Sequence, residues 1–407
     1  MADVLFVHTN FPAQLGFIAQ AMAGRGHRCR AIASSTGREI AGVPLSRWSV
    51  SRGSTPGIFG PAVRAEADLI RGTGAARAAL ALKEGGFTPD VIVGHPGWGE
   101  TVFLREVFPK ARQVTYAEFY YRAEGGDVGF DPEFGTPSLE EKFRIHAKNA
   151  TMAMAYAEAD RIVAPTRFQA GMLPAAFRER AAIIHEGVDA ERVRPDPDAR
   201  LKVGKRVLDR ATPVVTFINR RFEPLRGYHV FMRALPRFLA EVPDAHAVLI
   251  GSDGEAGYGL PAPKGTTWRQ RYLDEVKDRI DLGRVHFTGH LPHDRMLAAL
   301  SLSRAHVYYT YPFVLSWSLL EAMASECLIV ASDTAPLRDA IRPGQNGLLL
   351  DFFDHGALAE ALIAACRTPE AFVPLRKAAR KTVVADFDRA KCREAWVALI
   401  EELCPRQ

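Results

Sequence analysis

The stretch Tyr308-Tyr309-Thr310-Tyr311-Pro312-Phe313-Val314-Leu315-Ser316-Trp317-Ser318-Leu319-Leu320-Glu321 decides how the second half of this chain folds. A short apolar strand beginning at His306 runs into a loop, and Leu319, Leu320 and Met323 then recur at the spacing of a helix that faces a core. Ser316 and Ser318 both offer an N-cap. This order aims the free amides of the helix start beyond the C-terminal end of the strand. Such an N-terminus carries a positive partial charge and suits a diphosphate, with Phe313, Val314, Leu315 and Ser316 supplying backbone N–H groups. Glu321 has two readings. Its carboxylate accepts from the two hydroxyls of a ribose, or it closes a capping box with Ser318 and bonds the serine's own N–H.

The same strand, loop and helix unit recurs along the chain. Short apolar runs at Val4–His8, Arg30–Ala33, Val91–Val93, Gln113–Tyr116, Arg161–Ala164 and Ala182–His185 alternate with helix-length segments, the first from Gln14 to Ala23. That is the pattern of a parallel sheet built from βαβ units. Around Glu191–Asp198, prolines and charges interrupt the periodicity and mark a linker. A second set of strands follows at Val214–Ile218, Ala247–Ile250, Arg284–Thr288, His306–Tyr309, Leu328–Ala331 and Gly347–Leu350. The resulting map is 1–195, 196–385, and a final helix in 386–407 for which packing on the N-terminal domain is one option. Open α/β sheets bind ligands beyond the carboxyl ends of their strands, and two in tandem are expected to face a common cleft. The Gly- and Pro-rich stretch Gly254–Gly265 follows a strand and reads as a mobile loop over a ligand or as a surface insertion.

Composition narrows the function classes. The chain has 407 residues, 47% hydrophobic and 24% charged, as expected for two globular domains. Its net charge of +5 comes from 52 basic and 47 acidic residues, with no dense basic tract of the kind that binds nucleic acid. Cys29, Cys327, Cys366, Cys392 and Cys404 lack the paired spacing of a zinc or redox site, so no metal site is expected, and reduced thiols suit a cytoplasmic location. The Met1–Val7 start has no basic lead of a signal peptide, and no segment approaches the roughly 20 apolar residues of a membrane span. Pro61 to Gly85, with Arg64, Arg71, Arg77 and Lys83, reads as an amphipathic helix; peripheral contact with an anionic membrane or a lipid-linked acceptor is the alternative.

Ser318-Leu319-Leu320-Glu321-Ala322-Met323-Ala324, followed by Leu328-Ile329-Val330-Ala331-Ser332, resembles the donor-site signature of the family four glycosyltransferases. The resemblance implies an α/β chain of GT-B architecture: two Rossmann-like, doubly wound domains facing a central cleft, the first on the acceptor side and the second holding the donor. Glu321 matches the glutamate that binds the nucleotide ribose in that family. The signature's preceding glutamate, which helps hold the donor sugar, falls at Phe313, and its glycine-containing turn falls at Val314-Leu315-Ser316. The resemblance therefore does not extend to the sugar's identity.

Other segments are similar to the family in the same order. Asn219-Arg220-Arg221-Phe222-Glu223-Pro224-Leu225-Arg226-Gly227 resembles an arginine followed by Lys-Gly, with Arg226 in the lysine's place and Arg220 or Arg221 in the arginine's. Two cations there would stabilise a leaving diphosphate, while surface arginines flanking a helix start are the plainer alternative. Leu291 sits where the family's backbone reads the base, and Gly251 ends a strand in a glycine turn. In the first domain, His95 contacts a substrate or is structural. Glu118 is the carboxylate nearest the reacting carbon or a salt-bridged surface residue, and Asn10 faces the diphosphate.

The resemblance implies retaining transfer of a hexosyl unit from a UDP- or GDP-linked donor to a hydroxyl acceptor, in glycan, glycolipid or glycoconjugate biosynthesis. It implies no cofactor and no metal. Phe313 motivates an alternative, a non-catalytic nucleotide-sugar sensor or a subunit partnering an active transferase. A nicotinamide dehydrogenase is excluded, because neither Val7-His8-Thr9-Asn10 nor Ile218-Asn219-Arg220-Arg221 continues into Gly-x-Gly-x-x-Gly.

Overall fold

The computed structural model describes residues 1–254 and 257–405, and the chain divides into two compact units. One comprises Met1–Gly187 together with the chain from Ala390 onward, and the other Val188–Arg389. Glu255 and Ala256 of the predicted Gly254–Gly265 loop lie outside the described residues.

The first unit is built on strands β1 (Asp3–Val7), β2 (Arg28–Ala33), β3 (Leu45–Arg47), β4 (Val91–Gly94), β5 (Arg112–Tyr116), β6 (Arg161–Ala164) and β7 (Ala181–Ile183). They form one parallel sheet in the order β3-β2-β1-β4-β5-β6-β7. The second unit opens with an antiparallel hairpin, β8 (Leu201–Val203) and β9 (Arg206–Leu208). Its sheet contains β10 (Val214–Arg221), β11 (His246–Ser252), β12 (Val285–Gly289), β13 (Ala305–Tyr308), β14 (Leu328–Ser332) and β15 (Leu348–Leu350), all parallel, in the order β12-β11-β10-β13-β14-β15. The central strands read as continuous apolar runs because helices cover both faces of each sheet. In both sheets the strand order reverses at one point, between β1 and β4 and between β10 and β13. Connections leave such a switch point in opposite directions and open a crevice beyond the strand ends.

In the second unit Leu319, Leu320 and Met323 of helix Trp317–Ala324 pack with Val214, Ile218, Val248 and Ile250 of the sheet. In the first, Leu15, Ile18 and Met22 meet Val4, Phe6 and Val93. Trp396, Val397 and Ile400 of the last helix, Arg389–Leu403, complete that core, and burying each side chain of this size contributes roughly 1.5–3 kcal/mol. The last helix thus belongs to the N-terminal unit, where Arg25 also pairs with Glu394 and Glu401.

The expected position of the linker is corrected. The linker does not lie at the prolines: 188–195 and 386–389 belong to the second unit. The Val188 N–H donates to the Phe387 carbonyl (2.8 Å) and the Arg389 N–H to the Val188 carbonyl (3.0 Å), so the segments at the two crossings pair with each other. Strand β3 and the β8–β9 hairpin, three-residue elements with polar members, went unread. Helix Val63–Glu84 turns Asp68, Gly72, Ala75 and Ala79 inward, and Arg64, Arg71 and Lys83 have internal partners. Arg64 and Arg71 lie 2.9 and 3.5 Å from the Asp68 carboxylate, and Lys83 Nζ donates to the Val107 carbonyl at 2.8 Å. Among the described residues no helix is long and apolar enough to cross a membrane.

His8, just past the end of β1, and His306, in β13, are both buried. Burial, joined for His8 by the charge of His95, pulls each pKa down to about 3 from an ordinary 6.5. Between those values the unfolded chain binds protons that the folded chain refuses. The stability is therefore fully present above the unfolded value and is lost as pH falls through this window. The apparent Tm is expected to decline steadily below about pH 6, and His306→Gln to make that decline shallower, as a pH series of thermal unfolding curves would show.

Candidate active site

The C-terminal ends of β10 and β13 flank the switch point of the second sheet and carry the residues of interest. After β10, Pro224–Arg226 forms a 3-10 turn, and Gly227, at φ 69°, starts helix Tyr228–Glu241. A Cβ at Gly227 would lie 2.2 Å from the Tyr309 Cβ. Only glycine lets this turn rest on β13's continuation, which is why Arg-Gly stands here.

That contact buries Arg226 to 6% exposure. Its Nη1 donates to Thr310 Oγ1 (2.9 Å), the Val314 carbonyl (2.9 Å) and the Tyr308 hydroxyl (3.3 Å), and its guanidinium carbon lies 5.4 Å from the centre of the Phe313 ring. All these partners are neutral. Among the described residues no carboxylate pairs with Arg226, and its Nη2 and Nε find no acceptor. A buried cation held only by neutral oxygens keeps an uncompensated charge, which is costly without a ligand of opposite sign.

Residues 313–316 lead from this arginine to helix Trp317–Ala324. The Ser316 N–H donates to the Tyr308 hydroxyl at 2.7 Å, so it is not the free amide predicted for a diphosphate. Among the described residues the amides of Val314, Leu315, Trp317 and Ser318 have no acceptor. Ser316 is the N-cap by backbone position, but its hydroxyl meets that of Ser318 at 2.7 Å and caps nothing. The capping box is absent, because the helix begins two positions too early for Ser318 to cap it. Glu321 instead places Oε1 2.7 Å from His293 Nε2, with its side chain 13% exposed. His293, at the start of helix His293–Leu302, thus orients this carboxylate.

The β10–β11 pairing is irregular between Ile218 and Arg221, and Arg220 and Arg221 there take different partners. Arg220 Nη1 reaches the Tyr258 hydroxyl at 3.5 Å, and Arg221 Nη1 donates to the Asp253 carbonyl at 3.1 Å. At Gly251 a Cβ would meet the Asn219 carbonyl oxygen at 2.2 Å, so glycine is required where β10 and β11 converge. Leu291, between β12 and helix His293–Leu302, is half-buried against the unit's core.

In the first unit, His95 is buried with its ring packed against His8, Trp98 and Tyr116. Its Nδ1 accepts from the Gly97 N–H (3.0 Å), and its Nε2 lies 3.3 Å from Glu118 Oε2. Both ring nitrogens of His95 are thus engaged within the unit, the arrangement expected of the structural one of its two readings. Glu118 also accepts from Gln14 Nε2 at 3.0 Å. Burial works to raise its pKa, but the hydrogen bond and charge of His95 and the bond from Gln14 outweigh it and hold the carboxyl below its ordinary range. Asn10 is exposed; its N–H donates to His8 Nδ1 at 2.9 Å and its side-chain oxygen accepts from the Thr36 hydroxyl.

Paired Rossmann-like sheets of this kind define the GT-B fold. Sucrose-phosphate synthase from Thermosynechococcus elongatus has a similar structure, with a TM-score of 0.78 at 18% identity over 99% of each chain. So does Anabaena HepE in complex with UDP-glucose, at 0.67 and 15% over 99% of this chain and all of the other (100%). A family described as Glycosyl transferase family 4 group matches residues 25–193, and one described as Glycosyl transferases group 1 matches 203–382. The chain belongs to the family four glycosyltransferases. It is 29% identical over 212 residues to D-inositol 3-phosphate glycosyltransferase of Nocardia farcinica, a match covering 51% of this chain and 45% of that protein. It is 27% identical over 206 residues to glycogen synthase of Mycobacterium tuberculosis, covering 51% and 44%. The chain thus spans less than half the length of these two relatives.

Gly227→Ala, which forces both a left-handed backbone and a clash onto an alanine, is expected to destabilise the second unit by at least about 2 kcal/mol. A lower urea midpoint for that unit's unfolding would show it.

Proposed function

We propose that this chain is a retaining, metal-independent hexosyltransferase that moves a sugar from a UDP- or GDP-linked donor to a hydroxyl acceptor in glycan, glycolipid or glycoconjugate synthesis. The observation that carries this reading is Arg226, a buried cation with no carboxylate partner among the described residues, beside backbone amides without acceptors at a switch point. A diphosphate supplies what the site lacks, two or more negative charges and many acceptor oxygens. Complexes of structural relatives with UDP-glucose and with UDP-2-fluoro glucose make UDP-glucose the first donor to try.

In this reading the free Nη2 and Nε of Arg226, the guanidinium of Arg220 and the amides of Val314 and Leu315 stabilise charge on the departing diphosphate, with the dipole of helix Trp317–Ala324 behind them. Glu321, oriented by His293, accepts from the ribose hydroxyls, and the backbone at Leu291 meets the base. Gly251 and Arg221 shape the adjoining wall. The acceptor hydroxyl enters on the face the diphosphate leaves, and the leaving phosphate oxygen takes its proton, so no protein nucleophile is needed. Glu118, kept ionised by its partners, offers a carboxylate for the reacting centre, with His95 positioning it and Asn10 at the neighbouring loop. The proposed location is cytoplasmic, and the pairing of Arg64, Arg71 and Lys83 within the unit supports membrane contact that is at most peripheral.

The second reading, a nucleotide-sugar sensor, draws on Phe313, whose buried ring against Arg226 puts no carboxylate at that point. Turnover separates the two. Wild-type protein is expected to release nucleotide from at least one UDP- or GDP-sugar in the presence of a hydroxyl acceptor; binding without turnover across a broad donor panel establishes the sensor instead. Arg226→Ala is expected to lower kcat/KM by about 10²–10³-fold, with Arg226→Lys recovering part of it and circular dichroism confirming that both variants fold. Glu321→Ala is expected to weaken nucleotide binding by about tenfold or more in calorimetry; unchanged affinity would remove Glu321 from the site.

A further inference from the structure

The chain from Gly257 to Trp268 is fastened next to Arg226. Glu223, itself buried to 3% exposure, accepts from the Tyr258 N–H (3.3 Å) and the Gly259 N–H (2.9 Å). The Trp268 indole N–H donates to the Leu260 carbonyl at 2.9 Å. A Cβ at Gly257 would lie 2.1 Å from Glu223 Oε2, so glycine there lets the backbone sit on the carboxylate. Among the described residues no cation pairs with Glu223; its charge is answered by those two amides. A buried carboxylate devoted to holding a surface loop is an expensive fastening, and it fixes the position of one side chain in particular.

That side chain is Tyr258. It is 54% exposed although its backbone is clamped. Its ring centre lies 5.5 Å from that of Phe313, and its hydroxyl 3.5 Å from Arg220 Nη1. Phe313 in turn lies against Arg226. Two aromatic rings, one of them open to solvent, therefore adjoin a guanidinium that lacks a counter-charge. We propose that Tyr258 is a donor-contacting residue whose ring, with Phe313, forms a wall on which the C–H face of the donor's glycosyl ring stacks, and that Glu223 is the residue positioning it. This rests on the donor-site reading above. It deepens it by assigning sugar recognition to an aromatic surface, with the phenol and Arg220 meeting hydroxyls at the sugar's edge.

The test uses the full chain. UDP and GDP are titrated first, and donor kinetics are then measured with UDP-glucose, UDP-galactose, UDP-N-acetylglucosamine and GDP-mannose. Tyr258→Ala is expected to leave the Kd of the free diphosphate within about twofold and to raise the donor KM about tenfold, with Tyr258→Phe restoring most of that loss because the ring remains. Glu223→Gln is expected to raise the donor KM as well and to expose residues 257–265 to limited proteolysis, a readout independent of turnover. A donor KM unmoved by Tyr258→Ala, with diphosphate binding intact, overturns this proposal alone. Failure of the wild-type chain to bind either diphosphate overturns the donor-site reading and this proposal with it.

Discussion

The buried guanidinium of Arg226 is the constraint around which the second unit is arranged. Three neutral oxygens hold one of its nitrogens, and the rest of the group is left unanswered. The same Tyr308 hydroxyl that accepts from Arg226 accepts from the Ser316 amide, so the arginine and the start of helix Trp317–Ala324 are fixed by one shared atom. Gly227 is required for the arginine to reach that position, since any side chain there would strike Tyr309. Positive charge, helix start and turn are thus coupled, and moving one moves the others.

The fold places this arrangement where a ligand has access. Reversal of strand order at β10 and β13 sends the following connections to opposite sides, and the crevice between them is where the arginine turn and the 313–316 loop meet. The first unit repeats the plan at β1 and β4, with His8, His95 and Glu118 at the equivalent strand ends. In that cluster His95 and Glu118 answer each other, while His8 Nε2 is buried without a hydrogen-bond partner among the described residues. Both nitrogens of His95 are engaged, and Glu118 is braced by a histidine and a glutamine.

Much of this was legible in the sequence, for reasons specific to each segment. Strands buried on both faces announce themselves as apolar runs, so Val4–Val7 and Val214–Ile218 were plain, whereas the short β3 and the β8–β9 hairpin carry no such run. Arg226 was legible because Arg-Gly after a buried strand is a steric necessity as well as a resemblance. Glu321 was ambiguous, since a capping box and a ligand site share one spacing and only the position of the helix start separates them. Its partner His293 was invisible, because that pairing joins two helices remote in sequence. The prolines at 195 and 197 marked a break in periodicity and were mistaken for the domain edge, which is set by the pairing of Val188 with Phe387 and Arg389. Tyr258 sat in a Gly- and Pro-rich stretch whose sequence gives no sign that Glu223 fastens it.

The most direct test of the account is a crystal structure of the chain with UDP or GDP bound. Bound UDP or GDP is expected to place a diphosphate oxygen within about 3 Å of Arg226 Nη2 or Nε, with the Val314 or Leu315 amide donating to the same group. A diphosphate bound elsewhere, with Arg226 still held only by Tyr308, Thr310 and Val314, would contradict it.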